Sequence, residues 1–310
     1  MAKTKSNPKG FNKIIVYGLS VFLLIVLLIN LGIIVKLIEL RKQKYSEIYS
    51  SENILSEQQK EHFDKLEEIK LLSEKIENIK NVEDLTENIR KEFFENAKKY
   101  ETMVSQGKGS KKIAYLTLDD GPYNYTPAFL DVLDKYDVLA TFFLLGKPSS
   151  QYDATYKRIV DSGHTIANHT YSHAIYSGLY VTVDSFVNDV LKQEKFLLQK
   201  TGVKTNILRF PGGSSSALPP YRHDILQRLR KYNYGYIDWN VSSGDAGKEP
   251  SKEKAYNNII NGSRNKNIIV ILMHDSSKAS LLALPSVIET LKERDYIFLP
   301  LFYESSMIIK

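Results

Sequence analysis

The sequence contains no cysteine among its 310 residues. Disulfide bonds, thiolate nucleophiles and cysteine-ligated zinc sites are therefore excluded, and any bound metal ion must take nitrogen or oxygen ligands. The absence does not distinguish an oxidising from a reducing compartment, because a cysteine-free chain is compatible with both.

Charged side chains are missing from residues 14–35, a run of 22 residues rich in Ile, Leu and Val. A helix of that length rises roughly 33 Å, enough to cross the hydrocarbon core of a bilayer. A cleavable signal peptide would have a shorter run followed by small residues, and none follow here. We therefore predict a cytoplasmic tail at 1–13 and a transmembrane signal anchor at 14–35.

The formal net charge is +6, and much of the basic excess flanks this apolar run. A nucleic-acid-binding protein would instead concentrate basic residues on one folded module with interleaved aromatics. No nucleic-acid partner is therefore expected. Four basic residues precede the run and four follow it closely, so the positive-inside rule does not set the orientation.

Glycine and proline are absent between Gly32 and Gly107. Apolar residues recur there at three- and four-residue steps, which is helical periodicity. The pattern predicts a helical or coiled-coil stalk over 36–104. The heptad-like part is short and its phase slips near Asn81, which favours a single solvated helix, with a homodimeric coiled coil as the alternative. The apolar series are Leu66, Ile69, Leu72, Ile76 and Ile79, then Leu85, Ile89, Phe93, Ala97, Tyr100 and Val104.

From about Lys111 onward, short β-like runs alternate with helical patterns. Repeated β-then-α units predict a parallel α/β sheet, closed or nearly closed into a barrel. In such barrels the functional residues lie at the C-terminal ends of the strands. The predicted strands are 113–118, 140–145, 165–168, 207–210, 235–241 and 268–273, and the predicted helices are 127–136, 156–162, 183–199, 224–232, 252–260 and 284–293.

Polar residues at five of these strand ends form a set suited to metal-assisted hydrolysis. Two histidines four residues apart, together with one carboxylate, fill three positions around a divalent ion and leave room for water or substrate. A second carboxylate can then serve as a base and a separate histidine as an acid. The same three ligands also form the iron triad of oxygenases, which would not need the extra acid and base. The residues are Asp119 and Asp120, His169 and His173, Arg209, Asp238, and His274.

The segment 113–301 resembles the NodB-homology domain of the polysaccharide deacetylases, carbohydrate esterase family 4. Five motifs carry the resemblance in the family's order: Thr-Leu-Asp-Asp-Gly, His-Thr-Tyr-Ser-His, Arg-Phe-Pro-Gly, Asp-Trp and Leu-Met-His. The resemblance implies a distorted (β/α) barrel with about seven strands as the catalytic domain, over 105–310. It also implies metal-dependent removal of N-acetyl groups from amino sugars.

The resemblance further implies a role for each motif residue. It makes Asp120, His169 and His173 the ligands of a divalent metal, zinc first, with cobalt, manganese or nickel as alternatives. Asp119 becomes the catalytic base held by Arg209, and His274 the general acid with Asp238 as its partner. The substrate groove is lined by Gly212, Trp239 and Leu272. Gly212 stands where the family usually has tyrosine, so a substrate-facing side chain is lost.

The expected function is therefore deacetylation of N-acetylglucosamine or N-acetylmuramic acid in peptidoglycan, by a single-pass membrane protein with an extracellular catalytic domain. One alternative is a deacetylase of another extracellular polysaccharide, such as poly-N-acetylglucosamine. A second is a catalytically inactive carbohydrate-binding wall protein, although a binder has no need of both an acid and a base.

Overall fold

The computed structural model describes residues 82–216 and 221–310, together with Lys36. The predicted membrane segment 14–35 and most of the predicted stalk lie outside these residues. Within the part of the chain that is described, no helix is long and apolar enough to cross a membrane. The chain divides into two compact units, Met1–Thr86 and Glu87–Lys310, and the second contains every motif discussed above.

Eight parallel strands form one sheet in this second unit. Seven of them follow the order β5-β4-β3-β2-β1-β7-β6, and β8 pairs with β1 beside that path. This arrangement is consistent with the predicted distorted barrel. The strands are β1 (Lys112–Asp119), β2 (Thr141–Leu144), β3 (Thr165–Asn168), β4 (Ile207–Leu208), β5 (Gly235–Tyr236), β6 (Val241–Ser242), β7 (Ile268–His274) and β8 (Tyr296–Phe298).

Helices follow most strands, as the sequence pattern predicted. Capping explains several of their ends: Thr182 and Ser185 form a reciprocal capping box at the start of α4, and Gly202 ends that helix in the left-handed region. The helices are α1 (Val82–Ser105), α2 (Thr126–Tyr136), α3 (Asp153–Asp161), α4 (Val183–Thr201), α5 (Tyr221–Lys231), α6 (Lys252–Gly262) and α7 (Lys278–Glu293).

Helix α7 begins six residues before its predicted start at residue 284. Its first three residues, Lys278, Ala279 and Ser280, include no large apolar side chain, so the apolar pattern indicated the start too late. The structural signal is Ser277, whose side chain accepts a hydrogen bond from the backbone N–H of Ser280 and caps the helix.

Strand β1 lies in the middle of the sheet and organises its rim. One edge pairs with β7 over residues 113–119, whereas the other edge is shared, with β8 beside its first residues and β2 beside its last. Asp119 consequently sits in register with Phe143 on one side and His274 on the other. The C-terminal ends of three strands therefore meet at one point.

Alternation along β1 decides which side chains enter the barrel. Ala114, Leu116 and Leu118 pack in the cluster that includes the surrounding helices, and Ile113 and Tyr115 pack in the other cluster. Because successive side chains on a strand point to opposite faces, Asp119 points to the same face as Ile113 and Tyr115, which is the inside of the barrel. Its carboxylate is thereby buried at the rim of the barrel.

The predicted strand 235–241 is wrong, because the structure divides it into two strands. β5 pairs with β4, whereas β6 pairs with β7, at the opposite end of the sheet order. The chain crosses between them, so Asp238 and Trp239 lie in a connection and not at a strand end. The strand that ends beside β7 is β6, which finishes at Ser242.

Helix α1 packs on the barrel over its C-terminal half. Ala97 and Val104 are buried in the cluster that also contains Phe302, and the ring of Phe94 stacks on the ring of Phe302 at 5.4 Å between centroids. Four residues of the second apolar series therefore pack on the barrel: Phe93, Ala97, Tyr100 and Val104. The second compact unit begins at Glu87.

Glu101 on this helix is buried and accepts three hydrogen bonds from the C-terminal segment. The donors are Ser305 Oγ at 2.8 Å, the Ser306 N–H at 3.1 Å and Ser306 Oγ at 3.0 Å. These bonds fasten α1 to the chain end that continues into the bridge between Ile309 and Tyr236 of β5. The carboxylate thus connects the incoming helix to the edge of the sheet.

We predict that Glu101→Ala destabilises residues 87–310 by about 1–3 kcal/mol, because the buried Ser305 hydroxyl and two donors of Ser306 lose their acceptor. Urea unfolding measures this change. Glu95→Ala, at an exposed position of the same helix, is the control and is expected to stay within roughly 0.5 kcal/mol of wild type. Equal effects of the two substitutions would show that the Glu101 contacts contribute nothing to stability.

Candidate metal and catalytic site

The chain turns sharply where β1 ends. Asp119 is the last residue of the strand. Asp120 adopts a positive φ of 74°, so the two adjacent carboxylates point in different directions. Gly121 follows, and a Cβ at this position would overlap the carboxylate of Asp275. Only glycine therefore allows the loop to lie against the residue that follows His274.

Three donor atoms from Asp120, His169 and His173 lie within 4.8 Å of one another. The Oδ1 atom of Asp120 is 3.4 Å from His169 Nε2 and 3.3 Å from His173 Nε2. This oxygen is buried and has no hydrogen-bond partner in the described part of the chain. A buried, unsatisfied carboxylate oxygen facing two imidazole nitrogens fits a divalent cation, which takes such ligands.

The backbone of Arg209 orients one of the imidazoles. His169 Nδ1 is 2.8 Å from the carbonyl oxygen of Arg209, a contact that requires the proton on Nδ1. The lone pair of Nε2 then faces Asp120. Histidines that bind metals commonly have their second nitrogen bonded to a carbonyl or carboxylate in this way.

The electrostatics of the cluster favour the protonation states of metal ligands. Burial raises the pKa of Asp120, but the neighbouring His169, His173 and His274 lower it to about 2. Burial and the neighbouring His169 lower the pKa of His173. At neutral pH the carboxylate is therefore ionised and the His173 imidazole is neutral, as metal binding requires.

Arg209 is fully buried inside the barrel and bonds to groups from three parts of the chain. Its Nη1 donates to Asp119 Oδ1 at 2.8 Å and to Thr117 Oγ1 at 2.6 Å. Its Nε and Nη2 donate to the backbone oxygens of Ile237 and Asp238, both at 3.2 Å. The guanidinium also lies over the ring of Phe143, 4.1 Å from its centroid. These contacts satisfy the buried charge and fix its position.

Asp119 lies between Arg209 and the three-residue cluster. Its Oδ1 is bonded to Arg209, and its Oδ2 is 3.7 Å from His169 Nε2. The second oxygen is thus directed at the cluster and can accept a proton there. The predicted contact between Asp119 and Arg209 is present in the structure.

Asp245, not Asp238, is the partner of His274. His274 Nδ1 is 2.7 Å from Asp245 Oδ1, and the backbone N–H of His274 donates to Asp245 Oδ2 at 2.9 Å. Ser280 Oγ donates to the same oxygen at 2.5 Å. The imidazole Nε2 then faces the cluster, 4.0 Å from Asp120 Oδ2.

The Asp245 contact changes the charge of His274. Burial lowers the pKa of His274, but the hydrogen bond and negative charge of Asp245 outweigh it and raise the pKa to about 9. The pKa of Asp245 is lowered in turn: burial opposes the shift, but the bond to His274 dominates. His274 therefore carries a proton at neutral pH and can donate it from Nε2.

The predicted pairing of His274 with Asp238 is wrong because of the divided strand. Asp238 lies in the crossing after β5, on the side of β4, and accepts hydrogen bonds from the Ser214 N–H at 2.8 Å and Ser214 Oγ at 2.6 Å. It therefore fastens the segment after Arg209. Asp245 follows β6, which pairs directly with β7, and so reaches His274.

The three predicted groove residues differ in their surroundings. Gly212 has φ of 74°, and a Cβ there would lie 2.7 Å from Ser216 Oγ, so this backbone excludes a side chain. Trp239 is half-buried, with its ring 3.3 Å from the Cβ position of Gly213. Leu272 is buried on β7, two residues before His274.

A cavity of about 390 Å³ opens beside His274. It reaches Asp120 on one side and Ala246 and Lys278 on the other. Its volume falls within the range of small-molecule sites, roughly 300–1,000 Å³. The protonated imidazole and the cluster therefore border space in which a substrate group can lie.

The sequence analysis did not identify Asp245 or Asp275. The signal for Asp245 was the Ser-Ser-Gly turn before it, which marks the true end of β6. Asp275 is fully buried, and burial raises its pKa to about 7 although the Thr126 hydroxyl donates to it. Neither residue stands out by type or spacing, because their roles depend on tertiary contacts.

Comparison with known proteins agrees with this geometry. The family described as polysaccharide deacetylase matches residues 106–237. A peptidoglycan-N-acetylglucosamine deacetylase of Bacillus cereus is 32% identical over 223 residues, which cover 69% of this chain and 76% of the relative. A peptidoglycan-N-acetylmuramic acid deacetylase of Bacillus subtilis is 31% identical over 196 residues, covering 62% of this chain and 71% of the relative.

A solved structure is also similar, the catalytic domain of a peptidoglycan N-acetylglucosamine deacetylase from Eubacterium rectale. It is 37% identical, with a TM-score of 0.61, and the match covers 65% of this chain and 93% of that domain. The chain belongs to the polysaccharide deacetylase family and is an N-deacetylase, a hydrolase of carbon–nitrogen bonds other than peptide bonds.

Proposed function

We propose that this chain is a divalent-metal-dependent deacetylase that removes N-acetyl groups from the amino sugars of peptidoglycan. The observation that carries the proposal is the three-residue cluster flanked by two further groups. Asp119 Oδ2 lies 3.7 Å from His169 Nε2. His274 Nε2 lies 4.0 Å from Asp120 Oδ2. A binding protein would have no use for a base and a protonated acid at one cation site.

The residues divide the reaction between them. Asp120, His169 and His173 would hold the divalent ion, which would lower the pKa of a bound water and polarise the acetyl carbonyl. Asp119 accepts the proton of the attacking water on Oδ2, while Arg209 holds Oδ1 and so fixes the direction of the carboxylate. The family resemblance assigns stabilisation of the developing oxyanion to the backbone N–H near Gly212.

Departure of the sugar amine needs a proton, because an unprotonated amine is a poor leaving group. His274 supplies it from Nε2. Asp245 holds Nδ1 and keeps the imidazole charged at neutral pH, so the acid is ready when the tetrahedral carbon collapses. The products are acetate and a glycan with a free amine.

The relatives named above support peptidoglycan as the polymer, and they include enzymes named for both of its sugars. N-acetylglucosamine and N-acetylmuramic acid therefore both stand as candidates. Gly212 leaves the groove without a side chain at that position, which suits a bulkier sugar. The nitrogen and oxygen ligands suit zinc first, with cobalt, manganese or nickel as alternatives.

Extracellular, membrane-tethered placement is part of the proposal. The uncharged run 14–35 can cross a bilayer as a signal anchor, and the helical pattern after it provides a spacer. A polymer lying just beyond the membrane would be within reach of a domain on such a spacer. A homodimer formed through the stalk is compatible with this arrangement.

The direct test is acetate release from purified peptidoglycan by residues 87–310. We expect release by the wild type and, for Asp119→Asn, a loss of turnover on the order of 10²-fold or more, because the base is removed. Chito-oligomers and acetylated xylan serve as comparison substrates. Activity confined to xylan would refute the proposed substrate, and no acetate from any of them would favour an inactive wall protein.

We expect His173→Ala to lose bound metal while retaining its secondary structure, because one of three ligands is removed from a half-exposed position. Elemental analysis and circular dichroism measure the two quantities. His223→Ala is the matched control, since this histidine is exposed on α5 and should leave metal content unchanged. Full occupancy in the His173 variant would refute the ligand assignment.

The pH dependence of kcat/KM should report the ionisation of His274, which the bond to Asp245 controls. Asp245 raises the pKa of His274, so the imidazolium persists through neutral pH, and kcat/KM should fall as pH rises above neutral. In Asp245→Asn the basic limb should move down toward the ordinary histidine value of about 6.5. Asp238→Asn is the control, and its kcat/KM profile should keep the basic limb of the wild type. A shift in Asp238→Asn but not in Asp245→Asn would identify Asp238 as the partner of His274.

A further inference from the structure

Two loops that carry predicted metal ligands each present a tyrosine three residues beyond the ligand. Tyr123 follows Asp120, and Tyr176 follows His173. Their exposed fractions are 36% and 101%, which makes Tyr176 a completely exposed aromatic residue. Three residues span at most roughly 11 Å, so both rings are attached close to the cluster.

The loop that bears Tyr176 is fastened on both sides. The Leu179 N–H donates to the Ala174 carbonyl oxygen at 3.0 Å, and Leu179 itself is buried. Tyr180 Oη donates to the carbonyl oxygen of Pro211 at 2.8 Å, which ties the loop to the segment after Arg209. Tyr176 is therefore exposed on an ordered loop that borders the site.

Ile175, the residue before Tyr176, lies beside Gly212, which has no side chain. A Cβ at Gly212 would lie 3.5 Å from Ile175 Cδ1, so Ile175 packs beside the Gly212 backbone. The ring of Tyr176 follows directly along the chain.

The two tyrosines differ in the space around their rings. Lys147 Nζ lies 4.1 Å from the centroid of Tyr123, which occupies one face of that ring. Tyr176 is fully exposed, so both of its faces are open to a ligand. A single exposed aromatic residue is ordinary on a protein surface. Its short spacing from His173 and its fastened loop distinguish Tyr176 from such a residue.

We propose that Tyr176 stacks on the pyranose ring of a glycan unit adjacent to the one that is deacetylated. The inference rests on the proposed function and identifies a contact for its polymer. An aromatic ring offers a large apolar face at low conformational cost, and the tyrosine hydroxyl remains in water. The contact would increase affinity for long glycans without taking part in the chemistry.

The test compares kcat/KM for chitopentaose with that for 4-nitrophenyl acetate, a substrate without a sugar. Tyr176→Ala should lower this ratio about three- to tenfold, mainly through a higher KM for the pentamer, given the usual strength of aromatic stacking. Tyr176→Phe should keep the ratio near the wild-type value. Tyr232→Ala removes an exposed tyrosine beyond the C-terminal end of α5 and is the matched control.

Calorimetric titration with chitopentaose gives a second reading that does not depend on turnover. An unchanged ratio and unchanged affinity in Tyr176→Ala would overturn the stacking contact while leaving the deacetylase function intact. If the wild type releases no acetate from any glycan, the proposed function fails. In that case the calorimetric affinities of Tyr176→Ala and Tyr176→Phe for chitopentaose still decide whether the Tyr176 ring binds sugar.

Discussion

The ion pair between Arg209 and Asp119 is the constraint on which the site depends. The guanidinium is fully buried, and it has donors for Asp119, Thr117 and two backbone oxygens, so no part of the charge is left without a partner. Removing one partner of a buried pair typically costs about 3–5 kcal/mol, because the remaining charge is uncompensated. The pair therefore fixes the position of the base within the barrel.

The same residue also positions the metal cluster. The backbone oxygen of Arg209 binds His169 Nδ1, so one residue of the strand-end segment directs both the proposed base and an imidazole of the cluster. Asp119 is itself in register with His274 across β1 and β7. Asp119, His169 and His274 are thus related by sheet register and by one buried arginine, whereas His173 lies in the loop after β3.

Much of the fold could be predicted, because the alternation of strands and helices is a local pattern and parallel strands place their C-terminal ends together. The two histidines of the cluster were predicted from their four-residue spacing after a strand end, and the family resemblance assigned Asp120 as the third ligand. The partner of His274 could not be predicted in this way. The run 235–241 has a continuous β-like composition, and only the tertiary pairing of β5 with β4 and of β6 with β7 divides it. The packing partner of α1 could not be predicted for a similar reason, since an apolar helical face looks the same in the sequence whether it packs on another helix or on a barrel.

The position of Asp245 explains how an acid can function beside a cation site. Asp120 faces His169 and His173 with Oδ1, and its Oδ2 is 4.0 Å from His274 Nε2, so the proposed acid lies within the field of the cluster. Any cation bound there would disfavour the imidazolium by like-charge repulsion. Asp245 opposes this repulsion through a direct bond to Nδ1, and Ser280 and the His274 N–H hold its other oxygen. Replacing Asp245 should therefore remove more than an orienting contact, because the imidazole would lose the charge that keeps it protonated next to the metal site.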